Sequence, residues 1–192
     1  MIEDIFRFAI LTNNTDINVT PLINYAYELK SNTKGETKSN ISAWQSGDLD
    51  NDLHILKELK GVVNYLSNEF YQYMNLKKSH KVEFDNCWFN INPKGGSNKP
   101  HSHPGSIFSG VLYLKASENS GNINFINPCK QHDYHFDDMV EQHNIYTGGE
   151  YWHKPEVGKL IIFPSSLEHY VEGNCSDDDR ISISFNTKAV SL

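Results

Sequence analysis

The sequence predicts a mainly β fold, a jelly roll or related double sheet of about eight strands, with supporting helices ahead of it. Two observations carry this. After Lys81 the segments VEFDNCWFNINP, FSGVLYLKA, GNINFINP, GKLIIFPSS and RISISFNTK follow one another. They are rich in aromatic and β-branched residues and are separated by Gly, Pro, Asn and Asp, the composition of strands and their turns. Before Lys81, helical periodicity dominates instead. The 192 residues suit one integrated domain. Residues 1–80 form an N-terminal strand and helical support region, and 81–192 form the β core.

Each element has its own signal. Ile2 to Leu11 reads as a first strand. Thr20 followed by Pro21 reads as an N-cap with proline at the first helical position, opening a short helix over PLINYAYELK. Asn32 to Asn40 is polar and reads as a loop. Asp52 to Met74 is the clearest helix: Leu53, Leu56, Leu59, Val63, Leu66, Phe70 and Tyr73 recur at three- and four-residue steps, the mark of one buried face. Gly61 weakens it. Gly158 to Phe163 reads as a buried strand ended by Pro164. Gln131 to Pro155 fits less well and reads as a hairpin plus an irregular loop. It holds His132, His135, His143 and His153, and is a candidate substrate lid, with His153 beside Trp152 turned toward the pocket.

Composition excludes several classes. The formal net charge is −7, and nucleic-acid binders usually carry a basic patch. Lys77, Lys78 and Lys81 read as a solvated face. Cys87, Cys129 and Cys175 are far apart and form no CxxC pair, which fits a reducing compartment and predicts buried, inert thiols. The N-terminus carries Glu3 and Asp4 where a signal peptide needs positive charge. No apolar run approaches the roughly 20 residues of a membrane span. The expectation is a soluble, cytoplasmic protein without a membrane or nucleic-acid partner. A homodimer through the N-terminal helices is left open, since the same helices could simply buttress the core.

The chemistry concentrates in KPHSHPGS. Residues i and i+2 of a strand share a face, so His101 and His103 are half of a metal site. The other half is expected on a distant strand. His169 follows the break at Pro164, and Arg180 comes eleven residues later, opening RISISFN. There Arg180, Ser182 and Ser184 share one face, and Ile181, Ile183 and Phe185 the other. Periodicity leaves open whether the Arg180 face looks to solvent or lines a polar pocket.

The ordered set His-x-His, SGVLYL, GKLIIFPSSLEH and Arg-x-Ser resembles the Fe(II)/2-oxoglutarate-dependent oxygenases. It is most similar to a subfamily of marine bacteria and phages, in which WFNINPKGGSNKPHSHPGSIFSGVLYL and GKLIIFPSSLEHYV…RISISFN recur almost as here. SNISAWQSGDL extends the likeness, which runs from about residue 40 to 187. The resemblance implies a double-stranded β-helix, that is, a cupin-like jelly roll. It implies Fe(II) held by His101, His103 and His169. It implies 2-oxoglutarate as co-substrate, with Arg180 and Ser182 at its far carboxylate and Tyr113, Trp88 or Asn90 in reach of it, and O₂ as oxidant. A guanidinium suits a carboxylate because its planar fork meets both oxygens.

The implied reaction is hydroxylation of a C–H bond, with release of succinate and CO₂, on a small-molecule or peptide substrate such as a peptidyl-proline or an amino acid. His103 departs from the family's usual carboxylate at this position. Three imidazoles also suit zinc or copper. A second arrangement uses only one of His101 and His103, completed by Asp133, Asp137 or Glu168. The competing functions are a non-catalytic metal-binding cupin-like module and a phage structural protein.

Overall fold

The computed structural model describes residues 8–129 and 139–192. Its described strands are β1 (Leu11–Asn14), β2 (Asn40–Ile41), β3 (Trp44–Gln45), β4 (His80–Asn92), β5 (Ser97–His101), β6 (Phe108–Lys115), β7 (Ile123–Ile126), β8 (Glu150–His153), β9 (Lys159–Pro164), β10 (His169–Val171) and β11 (Arg180–Ser191). Two helices, α1 (Thr20–Asn32) and α2 (Lys57–Tyr73), precede β4. The strands form two antiparallel sheets. One runs β1-β9-β6-β11-β4-β3 and the other β2-β5-β10-β7-β8. This is the double-stranded β-helix; its core, β4 to β11, holds the expected eight strands among the described residues, and β1, β2 and β3 from the first 80 residues extend the sheets at their edges.

The six-stranded sheet is covered on its outer face by the helices. Ile181, Ile183 and Phe185 of β11, Leu112 and Leu114 of β6, and Phe89 and Ile91 of β4 join Leu22 and Ala26 of α1 and Leu59, Val63 and Phe70 of α2 in one buried cluster. Both faces of β6 are therefore buried, which explains its unbroken apolar run. The helices buttress the barrel. Asn64 and Asn68 of α2 also clip the edge of β4: Asn64 Oδ1 accepts the Phe84 N–H at 2.6 Å, and Asn68 bonds the N–H and C=O of Val82 at 2.9 and 2.7 Å.

Several local expectations shift. Thr20 is the first helical residue, not the cap, and the Asn18 side chain accepts its N–H at 3.2 Å. Tyr73 is 78% exposed: it is the last residue of α2, whose buried side chains end with Phe70 and Tyr71. The first strand lies at Leu11–Asn14, not Ile2–Leu11, and residues 1–7 lie outside the described set. Only Cys87 is a buried thiol, its pKa pushed up to about 12 chiefly by burial; Cys129 is half-buried and Cys175 exposed. No helix among the described residues is long and apolar enough to cross a membrane.

The loop of residues 36–45 closes one side of the sandwich. Its β2 pairs with β5 in one sheet, while its β3 pairs with β4 in the other. Close packing across β6 and β11 depends on Gly110, where a Cβ would collide with the Phe185 ring and the Ile161 carbonyl. Gly110→Ala is expected to lower stability by about 1–3 kcal/mol, as overpacking does. Gly61→Ala, on an exposed turn of α2 with nothing within 4 Å of the added methyl, is expected to raise it by about 0.5–1 kcal/mol. Urea midpoints of both variants check the pair.

Candidate metal and co-substrate site

The inner face of the six-stranded sheet follows from the two-residue alternation of β11. With Ile181, Ile183 and Phe185 committed to the helices, Arg180, Ser182, Ser184 and Asn186 face inward, toward the second sheet. Register extends the rows. Ser182 lies between Asn90 and Tyr113, and Ser184 between Trp88 and Val111. Opposite them, His169 of β10 pairs with His101 of β5. Between the sheets lies a pocket lined by His101, His103, His169, Arg180, Ser182, Tyr113, Trp88 and Asn90, among others. All eight residues singled out in the sequence meet there.

His101, His103 and His169 each offer a ring nitrogen within 4.8 Å of the others, a group that can hold a metal ion. Two rings are oriented by backbone. His101 Nδ1 lies 2.7 Å from the Lys99 carbonyl, and His169 Nδ1 lies 3.0 Å from the Leu167 carbonyl. A carbonyl only accepts, so each Nδ1 carries the proton and each Nε2 keeps a lone pair for a metal. His103 arrives differently from the expected strand pair. β5 ends at His101, and His103 sits in the following loop, its N–H donating to the Ser165 carbonyl at 2.9 Å. Its ring lies against Trp88, with centroids 5.6 Å apart.

Burial keeps these rings neutral. It lowers the pKa of His103 to about 4, helped by His101, and that of His169 to about 3, helped by the same neighbour; His101 is also lowered, by burial. Neutral imidazole is the form that ligates.

Arg180 is 1% exposed. Its Nη1 donates to the carbonyls of Ser120, Gly121 and Glu172, the last two at 3.1 and 3.2 Å. Its Nη2 is buried with no hydrogen-bond partner among the described residues. Burial lowers its pKa, while Tyr113 and Glu172 act in the opposite direction. Gly121 has a φ of +87°, and a Cβ there would stand 2.6 Å from the Glu172 carbonyl and 2.9 Å from Nη1, so only glycine lets the carbonyls close around the guanidinium. Tyr113 is buried beside it, its pKa pushed up to about 12 chiefly by burial, so its hydroxyl keeps its proton. The orphaned Nη2 and the tri-imidazole group share one pocket. That combination fits a divalent cation at the imidazoles and a carboxylate at the guanidinium.

Sequence reasoning missed Ser39, Asn92, Asn98 and Ser184, which also line the pocket. Ser184 was readable from the alternation that carries Arg180. Ser39 was not, because it depends on the loop that bridges the sheets. Glu168 is exposed and stands outside both the three-histidine group and the pocket lining. Asp133, Asp137, His132 and His135 lie outside the described residues. His143 is exposed, and His153 packs on Tyr151 and does not line the pocket.

A pH dependence follows. In the unfolded chain an imidazole titrates near 6.5, above the folded values for His103 and His169. Between these values the unfolded state binds more protons, so stability of the metal-free protein is complete above about pH 6.5 and falls as pH drops toward 4. His103→Gln is expected to flatten part of that fall. Urea denaturation of the metal-free protein between pH 4 and 7 checks it.

Residues 86–186 match the model of the family described as "Putative 2OG-Fe(II) oxygenase". No curated protein matches the chain. Among solved structures, a Pseudomonas putida prolyl-4-hydroxylase is similar at 14% identity and a TM-score of 0.67, over 94% of this chain and 93% of that one. The viral collagen prolyl hydroxylase of Paramecium Bursaria Chlorella virus-1, in a 2OG complex, is similar at 15% identity and a TM-score of 0.61, over 94% and 96%. SnoN, a non-heme alpha ketoglutarate dependent epimerase from nogalamycin biosynthesis, is similar at 11% identity and a TM-score of 0.68, over 96% and 81%. At these identities the likeness establishes the double-stranded β-helix alone. The family match spans more than half of the chain and includes His101, His103, His169 and Arg180, and the chain belongs to the 2OG-Fe(II) oxygenases, which take Fe(II), 2-oxoglutarate and O₂.

Proposed function

We propose that the protein is a hydroxylase of C–H bonds in which His101, His103 and His169 ligate Fe(II) and Arg180 binds the far carboxylate of 2-oxoglutarate. The observation that carries this is the buried, unpartnered Nη2 of Arg180 in the same pocket as the three converging imidazoles. A buried guanidinium with a vacant donor is costly unless an anion meets it.

Bound iron with its co-substrate and O₂ supplies oxidative decarboxylation to succinate and CO₂, coupled to hydroxylation of the substrate. The chain's own residues bind and orient. His101 and His169 are aimed by the Lys99 and Leu167 carbonyls. Arg180, held by three carbonyls through Nη1, presents Nη2 to the carboxylate. The Tyr113 hydroxyl and Ser182 supply neutral donors beside it. Asn90, whose Nδ2 donates to Ser184 Oγ at 3.0 Å, and Trp88 form the wall between guanidinium and imidazoles. The fold likeness to two prolyl hydroxylases supports a peptidyl-prolyl or amino-acid substrate for this chain.

Anaerobic addition of Fe(II) and 2-oxoglutarate to the metal-free protein is expected to give a weak visible charge-transfer band. Arg180→Lys keeps a cation but loses the fork, and is expected to raise the half-saturating 2-oxoglutarate concentration by about tenfold or more, the scale of a charged hydrogen bond. His101→Ala and His169→Ala are each expected to abolish iron-dependent succinate formation. Retained turnover in both variants would overturn the ligand assignment. Iron binding without the band would favour the metal-binding module. Proline-containing peptides incubated with the loaded enzyme should gain one oxygen atom by mass spectrometry.

A further inference from the structure

We infer that Ser109, Ser165 and Asn186 are positioning residues for His103, acting through a directed hydrogen-bond chain that ends on Asp48. The inference rests on the ligand role proposed for His103 and concerns how a histidine off the strand is held to it.

The chain starts at the surface. Asp48 is exposed, and its carboxylate accepts from Asn86 Nδ2 at 3.1 Å on both oxygens. A carboxylate has no proton to give, so Asn86 must present its NH₂ there and its Oδ1 inward. Asn86 Oδ1 accepts from Asn186 Nδ2 at 3.0 Å, which turns Asn186 Oδ1 toward Ser109. The Ser109 hydroxyl donates to that oxygen at 2.7 Å, so its own oxygen accepts from Ser165 Oγ at 2.8 Å. Every amide orientation and hydroxyl direction along the row is thereby set by one charge.

The far end of the row is the His103 loop. The Ser165 carbonyl accepts the His103 N–H at 2.9 Å, and the Ser165 N–H donates to the Ile107 carbonyl at 3.1 Å. Ser165 thus grips the loop of residues 102–107 at two points. Ser109 and Ser165 are each 1% exposed and Asn186 is 8% exposed, so no water competes for these bonds. Register shows why the residues meet: Asn86, Asn186, Ser109 and Phe163 form one inward row across β4, β11, β6 and β9. Packing alone would fill such a row with apolar side chains. His101 and His169 need no comparable device, because their strands pair directly.

The test is a Co(II) titration of the full metal-free chain against a competing chelator, following the d–d bands. Ser109→Ala is expected to weaken Co(II) binding about 10–100-fold, the usual cost of removing a residue that orients a metal ligand. Its spectrum should move toward that of His103→Ala. Should Ser109→Ala not fold, Ser165→Ala breaks the same bond from its other end and carries the same expectation. Asn68→Ala, which unclips α2 from β4 far from the site, is the control for stability: it should unfold at lower urea while keeping wild-type Co(II) affinity and spectrum. Wild-type affinity and spectrum in Ser109→Ala or Ser165→Ala, with His103→Ala impaired, would overturn the positioning role alone. An unimpaired His103→Ala would overturn both this inference and the proposed ligand set.

Discussion

The structure depends most on one buried cation. Arg180 is 1% exposed, at the first residue of β11, the strand that pairs with both β4 and β6. A lone guanidinium inside a sandwich is expensive, and the surroundings offset that cost in parts. Three carbonyls take Nη1, a glycine with positive φ lets them approach, and Tyr113 packs alongside. Nη2 is left over. A protein that needed only stability would bury an apolar side chain here. The surviving donor is therefore the feature that separates a working pocket from a packed core.

That cation is tolerable because the sheet has two unlike faces. β11 alternates Arg, Ser, Ser and Asn inward with Ile, Ile and Phe outward. The outward set can face away from the second sheet only because α1 and α2 cover it. The hydrophobic stabilisation of the domain thus sits largely between helices and sheet. The space between the sheets is divided. Val111, Tyr113, Ile123, Phe125, Ile161, Phe163 and Leu167 pack one part. Val111, Tyr113, Ile123 and Phe163 of this set also line the pocket, beside the three histidines, Arg180 and Ser182. The loop of residues 36–45 completes the arrangement by pairing with both sheets, and its Ser39 lines the pocket.

Much of this was legible in the sequence, for physical reasons that differ by element. The long β strands announce themselves by aromatic and β-branched runs, and α2 by its apolar step. That these eight residues would share one pocket was legible because a strand's alternation fixes which residues travel together, and because the ordered motifs resemble a family. Which way the Arg180 face looked was not legible: either orientation satisfies a period of two, and the choice rests on helices distant in sequence. β2 and β3 are two residues each, too short for any pattern. Tyr73 keeps the helical step but not the burial, because it is the last residue of α2 and the buried side chains end with Phe70 and Tyr71.

The histidine pair holds the sharpest divergence between pattern and structure. His-x-His invites a strand with both rings on one face, yet the strand stops between them. His101 and His169 sit on directly paired strands, where the β ladder fixes their separation. His103 sits on a loop, where nothing in the ladder does. Its backbone bond to Ser165 and its ring contact with Trp88 therefore take over what pairing does for the other two. An imidazole carries its ring nitrogen farther from the backbone than a short side chain does, so from this loop it reaches the nitrogens of His101 and His169 to within 4.8 Å. The identity of the residue at position 103 and the path of the loop are thus one structural decision, and the hydrogen-bonded row that runs from exposed Asp48 to buried Ser165 is the part of the fold that holds that path in place.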